Sequence, residues 1–114
     1  MIKKSEEMRT EIRANMRGGN DEVTIVHILE KEDMIGKARF AARMTIPPGG
    51  SIGDHSHGPD AEIYIIVSGA ARIDDNGTVH TLAAGDAVFT GGGEYHSCAN
   101  AGDVPLEVIA LIIE

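Results

Sequence analysis

An all-β sandwich or barrel is the fold that this 114-residue sequence predicts. Three observations point to it. Short runs rich in β-branched residues recur along the chain, turn residues separate them at regular spacing, and one tight hairpin signal, Asp75-Asn76-Gly77, lies near the middle. Asn and Gly tolerate positive φ, which such a turn requires.

Taken in order, residues 5 to 17 mix Glu, Arg and Met at loosely helical spacing and stop at Gly18-Gly19-Asn20. A short helix or an arm fits that stretch, so residues 1–20 are read as an N-terminal arm and residues 21–114 as the β domain. Val23 to Leu29 is the first strand and Ala38 to Ile46 the second, ended firmly by Pro47-Pro48-Gly49-Gly50. Ile52 to His57, Glu62 to Val67 and Ala70 to Asp74 follow as strands. Thr78 to Leu82 answers across the hairpin, Gly85-Asp86 turns the chain, and Ala87 to Thr90 runs to Gly91-Gly92-Gly93. A strand carrying His96 and a last run from Leu106 to Ile113 complete the set.

Size and composition narrow the function. The length suits one domain. Hydrophobic residues make up 42% and charged residues 25%, ordinary for a globular protein, and no apolar run is long enough for a membrane helix. The Met-Ile-Lys-Lys start lacks the apolar stretch of a secretory signal. A net charge of −8 makes nucleic acid and anionic lipid poor partners. Cys98 is the single cysteine, so no intrachain disulfide forms, which fits a cytoplasmic location. Aromatic residues at 4%, with no tryptophan, leave little surface on which sugar rings stack.

The chemistry concentrates in two blocks. His55, His57 and Glu62 fall within eight residues, and His96 comes from a distant strand. Side chains alternate along a strand, so His55 and His57 share a face about 7 Å apart at the backbone. Three imidazoles and one carboxylate suit a divalent transition metal, and the absence of thiolate disfavours a structural zinc site. Four protein donors on an octahedral ion leave two positions for water or ligand. Mn²⁺ or Fe²⁺ is preferred on that ground, with Ni²⁺, Co²⁺, Cu²⁺ and Zn²⁺ as the other candidates.

These blocks resemble the two signature motifs of the cupin superfamily. Gly49, His55, His57, Glu62 and Gly69 match the first motif at each defined position. Gly85, Gly93, His96 and Asn100 match the second, and Gly91 departs from it where the family usually has proline, which is expected to loosen one turn. The resemblance implies a double-stranded β-helix, or jelly roll, with His55, His57, Glu62 and His96 holding a metal inside the barrel. The chain is also similar to small single-domain cupins of the oxalate-decarboxylase-like kind. That likeness implies a small organic acid such as oxalate as the ligand, with a metal-dependent decarboxylase or dioxygenase among the activities.

Other residues have two readings. Glu94 is a candidate general acid or base, or a solvated turn carboxylate. Cys98 lines the cavity or packs in the core, and Tyr64 touches a ligand or fills the core. Arg39 and Arg43, four apart, are expected on one face, either as anion clamps or on the surface. Asp54 and Asp60 are candidates to orient the ligands, and His27 and His80 are read as structural or exposed. Ile63 to Val67 and Val108 to Ile113 are apolar on both faces, so their outward residues need cover. A second subunit in a homodimer is the expected cover, with the N-terminal arm as the alternative. The function classes left open are a metal-dependent enzyme, a metal-containing binding or sensing module, and a structural barrel stabilised by metal.

Overall fold

A computed structural model describes all of residues 1–114. Ten strands make up most of the chain: β1 (Arg9–Ala14), β2 (Glu22–Leu29), β3 (Ala38–Ile46), β4 (Ser51–His57), β5 (Ala61–Ser68), β6 (Ala70–Asp75), β7 (Thr78–Ala83), β8 (Ala87–Gly91), β9 (Glu94–Asn100) and β10 (Leu106–Ile113). They form a six-stranded sheet in the order β1-β2-β3-β10-β5-β8 and a four-stranded sheet in the order β4-β9-β6-β7. All strand pairs are antiparallel. The two sheets face each other as a jelly-roll barrel.

Alternation explains what lies between them. Along β10, Leu106, Val108, Ala110 and Ile112 are buried while their neighbours are partly exposed. Val23 and Ile25 from β2, Met44 and Ile46 from β3, Tyr64 and Ile66 from β5, and Ile73 and Cys98 from β6 and β9 complete one core. Asn100 ties the ends together, donating from Nδ2 to the carbonyls of Ile46 and Val104 at 3.0 and 2.8 Å.

The N-terminal stretch is extended rather than helical. A 3-10 turn at Ser5–Glu7 leads into β1, which pairs along β2 from Arg9↔His27 to Ala14↔Glu22. A second 3-10 turn, Met16–Gly18, follows. Helical spacing in the sequence was misleading because tertiary pairing decides the conformation of so short a segment.

Two β-bulges change which side chains face inward. In β3 the register slips between Ala38 and Phe40, so Arg39 and Arg43 do not share a face as their spacing implied. In β4 it slips between Ile52 and His55, which lets Ile52 sit in the core and His55 and His57 still face inward. Gly91 is not a loosened turn. It closes β8 buried opposite Ala61, where an added Cβ would lie 2.8 Å from the Ala61 Cβ.

Candidate metal centre

His55 and His57 come from β4, Glu62 from the start of β5 and His96 from β9. The tight reversal at Gly58-Pro59-Asp60 returns the chain past β4, and β9 pairs with β4 so that His55 and His96 are directly opposite. One ligand atom from each of the four residues lies within 4.8 Å of the others. Glu62 Oε1 is 2.9 Å from His96 Nε2, 3.0 Å from His57 Nε2 and 3.3 Å from His55 Nε2. His57, Glu62 and His96 are buried, His96 fully so, and His55 is partly buried.

Each ring is fixed from behind. His55 Nδ1–H donates to the Gly53 carbonyl at 2.8 Å, and His57 Nδ1–H donates to Asp60 Oδ1 at 3.2 Å. His96 Nδ1 shares a 2.8 Å hydrogen bond with the Thr90 hydroxyl, and Tyr64 stacks on the His96 ring at 4.7 Å and 10°. A carbonyl or carboxylate only accepts, so in the neutral rings Nε2 of His55 and His57 carries a lone pair. Those lone pairs point at a carboxylate oxygen, and His55 Nε2 lies 3.0 Å from His96 Nε2. A shared positive charge relieves such a meeting of acceptors, and a metal ion would supply it to all four donors at once. Separations near 3 Å also match adjacent donors on an ion with bonds of about 2.1 Å. The donor set therefore fits a divalent metal.

Glu62 is suited to that role. Burial pushes its carboxyl up, but in the metal-free site any proton on Nε2 of His55 or His96, and positive charge on His96 and His57, outweigh this and bring it to about 2; a bound cation would supply positive charge in the same place. Asp60 is held below the usual carboxylate range by the Arg39 guanidinium, so an Arg39–Asp60–His57 chain orients one ligand. Thr90→Val removes the partner that orients His96 while nearly preserving volume. Metal affinity is expected to fall about 10- to 100-fold, read by competition with a chelator.

The remaining candidates divide clearly. Arg39, Tyr64 and the arm residues Arg13, Met16 and Arg17 line a cavity of about 110 Å³ over the cluster, together with Phe40, Met44 and Ile112. Arg43 is exposed on the outer face. Cys98 is fully buried core, its thiol pushed up to about 12 by burial, and so is inert. Asp54 is exposed and bonds to none of the ligands, unlike Asp60. His80 is exposed, and buried His27 contacts Glu11 of the arm at 2.6 Å. Glu94, the candidate acid or base, is exposed and accepts a hydrogen bond from Asn76 in the β6–β7 turn. It does not line the cavity over the cluster, so the turn-carboxylate reading describes its place. Arg13 and Arg17 had no signal in the sequence, because arginines in a short polar segment ordinarily face solvent.

Residues 42–112 match the Cupin domain family. The chain is a cupin. It is 47% identical over 113 residues to a Thermotoga maritima protein named oxalate-binding protein, covering 99% of this chain and 93% of that one. A solved structure described as a predicted oxalate decarboxylase from Thermotoga maritima superposes with a TM-score of 0.94 at 47% identity, covering 99% of this cupin and 98% of that chain. A mannose-1-phosphate guanylyltransferase of Salmonella montevideo is 37% identical over 74 residues, which span 65% of this cupin but 16% of the larger protein. The cupin domain of Schizosaccharomyces pombe Cnp3, at 13% identity and a TM-score of 0.72, shares the fold.

Proposed function

We propose that this cupin holds one divalent transition metal through His55, His57, Glu62 and His96 and binds a small carboxylate, oxalate or a close relative, at that metal. One observation carries the metal assignment: Nε2 of His55, His57 and His96 converge on Glu62 Oε1 at 3.3, 3.0 and 2.9 Å, with each ring anchored from behind through Nδ1. Mn²⁺ or Fe²⁺ remains preferred, with Ni²⁺, Co²⁺, Cu²⁺ and Zn²⁺ as alternatives. When bound, the metal supplies a Lewis acid that neutralises and polarises a carboxylate.

The chain's own residues do the rest. Thr90, Asp60 and the Gly53 carbonyl hold the three rings at fixed angles, and Tyr64 supports His96 by stacking. Met16, Phe40, Met44 and Ile112 give the cavity apolar walls that limit water. A cavity of about 110 Å³ fits an acid of a few heavy atoms and is well below the roughly 300 Å³ at which drug-sized ligand pockets begin. The name of the Thermotoga relative supports oxalate as the first acid to test.

Binding without turnover is favoured over decarboxylase or dioxygenase chemistry by the residues around the cavity. Glu94 is occupied elsewhere, and burial raises the Tyr64 hydroxyl well above its usual range. Calorimetry with oxalate on metal-loaded and metal-stripped protein tests the reading. Saturable binding to the loaded form alone is expected. Equal binding by both forms, or by neither, sinks it, and release of CO₂ or formate would move the assignment to an enzyme.

On the same reading residues 1–20 act as an arm on a barrel of residues 21–114, in a cytoplasmic homodimer that does not engage nucleic acid. No helix is long and apolar enough to cross a membrane. The arm pairs in plane with β2 at one edge of the large sheet and leaves the outer residues of β5, β8 and β10 uncovered. Ile65 pairs with Ile109 and Ile63 with both Leu111 and Phe89, and Ile65, Val67 and Phe89 stay exposed. Such a contiguous apolar patch supports a subunit interface. Ile65→Glu with Phe89→Glu is expected to halve the mass measured by analytical ultracentrifugation. A wild-type chain that sediments as a monomer removes the dimer.

A further inference from the structure

Three arginines, Arg13, Arg17 and Arg39, line the cavity over the metal cluster in a chain whose net charge is −8. Arg13 is paired with Glu11 at 3.0 Å, and Arg39 is paired with Asp60. Arg17 alone of the three has no carboxylate partner.

The backbone goes to some length to place it there. Arg17 sits in the left-handed region at φ 54 and ψ 30, and Asn15 does so at φ 52. Bulky residues rarely adopt that conformation unless their surroundings impose it, and it concentrates at sites with a function. The surroundings here are specific. Asn15 Nδ2 donates to the Gly19 carbonyl at 3.1 Å, and Ser51 N donates to the Asn20 carbonyl at 2.9 Å. An added Cβ on Gly53 would lie 2.1 Å from the Arg17 carbonyl oxygen, so the turn is packed backbone to backbone on β4. That strand carries His55 and His57.

We infer that Arg17 is the anion-recognising residue of the site: it takes the carboxylate of a ligand bound at the His55–His57–Glu62–His96 cluster and so selects dianionic acids over singly charged ones. This inference rests on the proposed metal and acid binding and adds the residue that sets charge specificity. A guanidinium with free donors meets a carboxylate through two parallel hydrogen bonds, and a neutral amide in the same place accepts fewer and weaker ones. The metal neutralises one end of the acid, and Arg17 neutralises the other. Its position on the arm also gives the cavity a roof that is not part of the barrel.

The test uses the full-length metal-loaded protein, oxalate, and oxamate, in which one carboxylate becomes an amide. Metal content by elemental analysis and affinities by calorimetry are measured for wild type, Arg17→Gln and Arg17→Lys. Arg17→Gln is expected to keep its metal and its melting temperature. It should bind oxalate about 10- to 100-fold more weakly, the range of one charged hydrogen-bonding contact. Its preference for oxalate over oxamate should largely disappear, and Arg17→Lys should restore part of it. Unchanged oxalate affinity in Arg17→Gln overturns the inference and leaves the metal reading standing. Loss of metal from Arg17→Gln also overturns it, since the residue would then support the cluster rather than the ligand. Failure of loaded wild type to bind either acid brings down the proposed function and this inference together.

Discussion

His96→Ala is expected to lower the metal content from about one ion per chain to below about one tenth, because deprotonated donors and a preformed cage supply the affinity together. His96 is fully buried, lies 2.9 Å from Glu62 Oε1 and faces His55 across the β4–β9 pair. Its removal takes away the donor contributed by the other signature block. The same change strips Thr90 of its partner and leaves a void beside the Tyr64 ring, so a further loss of about 2–4 kcal/mol in the metal-free protein is expected. Elemental analysis reads the first effect and a thermal melt of stripped protein reads the second. Full occupancy in the variant would show that the ion is not held by this cluster.

The pH response has a defined sign. Glu62 has a folded value of about 2, below its ordinary 4.5. Its ionised form therefore stabilises the folded chain above about pH 4.5, and that contribution is lost as pH falls through about 2. Glu62 remains an anionic donor throughout mild acidification. A Glu62→Gln variant should weaken metal binding without moving the pH at which release begins. A shift of that pH would place Glu62 among the groups that titrate.

The sequence is most informative where a residue type at a fixed spacing is itself the chemistry. His55, His57, Glu62 and His96 are such residues, and the structure brings them together as expected. The nine strands from β2 to β10 were legible too, because each has β-branched or alternating residues between turn formers. What stayed hidden depends on contacts between distant parts of the chain. In β1 only Glu11 is even partly buried, so Arg-Thr-Glu-Ile-Arg-Ala has no periodic apolar face to reveal a strand. Its conformation comes from β2, and the His27–Glu11 contact is one of the few side-chain ties between them. The bulge at Arg39 likewise has no signature in sequence, yet it separates an arginine that reaches the site through Asp60 from Arg43, which stays outside.

Gly53 is the residue whose importance the sequence conceals most, and Gly53→Ala is expected to loosen the arm while leaving the four metal ligands in place. Gly53 lies at the bulge in β4, offers its carbonyl to His55 Nδ1–H and stands against the arm at the Arg17 carbonyl. An alanine Cβ there would be 2.1 Å from that oxygen and 2.9 Å from its carbon, so the turn at Met16–Gly18 must retreat. Neither side can yield locally. Gly19 is packed the same way, its own Cβ position falling 2.1 Å from the Ser51 carbonyl oxygen. Overpacking of this kind costs about 1–3 kcal/mol, a drop in melting temperature of roughly 5–15 °C for a domain of this size. The carbonyl that orients His55 survives the substitution, so metal content should fall far less than in His96→Ala. Oxalate affinity should fall with it, because the arm carries Arg17. A variant that melts like wild type and binds acid like wild type would mean that the arm does not need this close approach. Loss of metal together with loss of the arm would mean that the arm holds the cluster itself, and the division between a barrel that binds the ion and an arm that reads the ligand would fail.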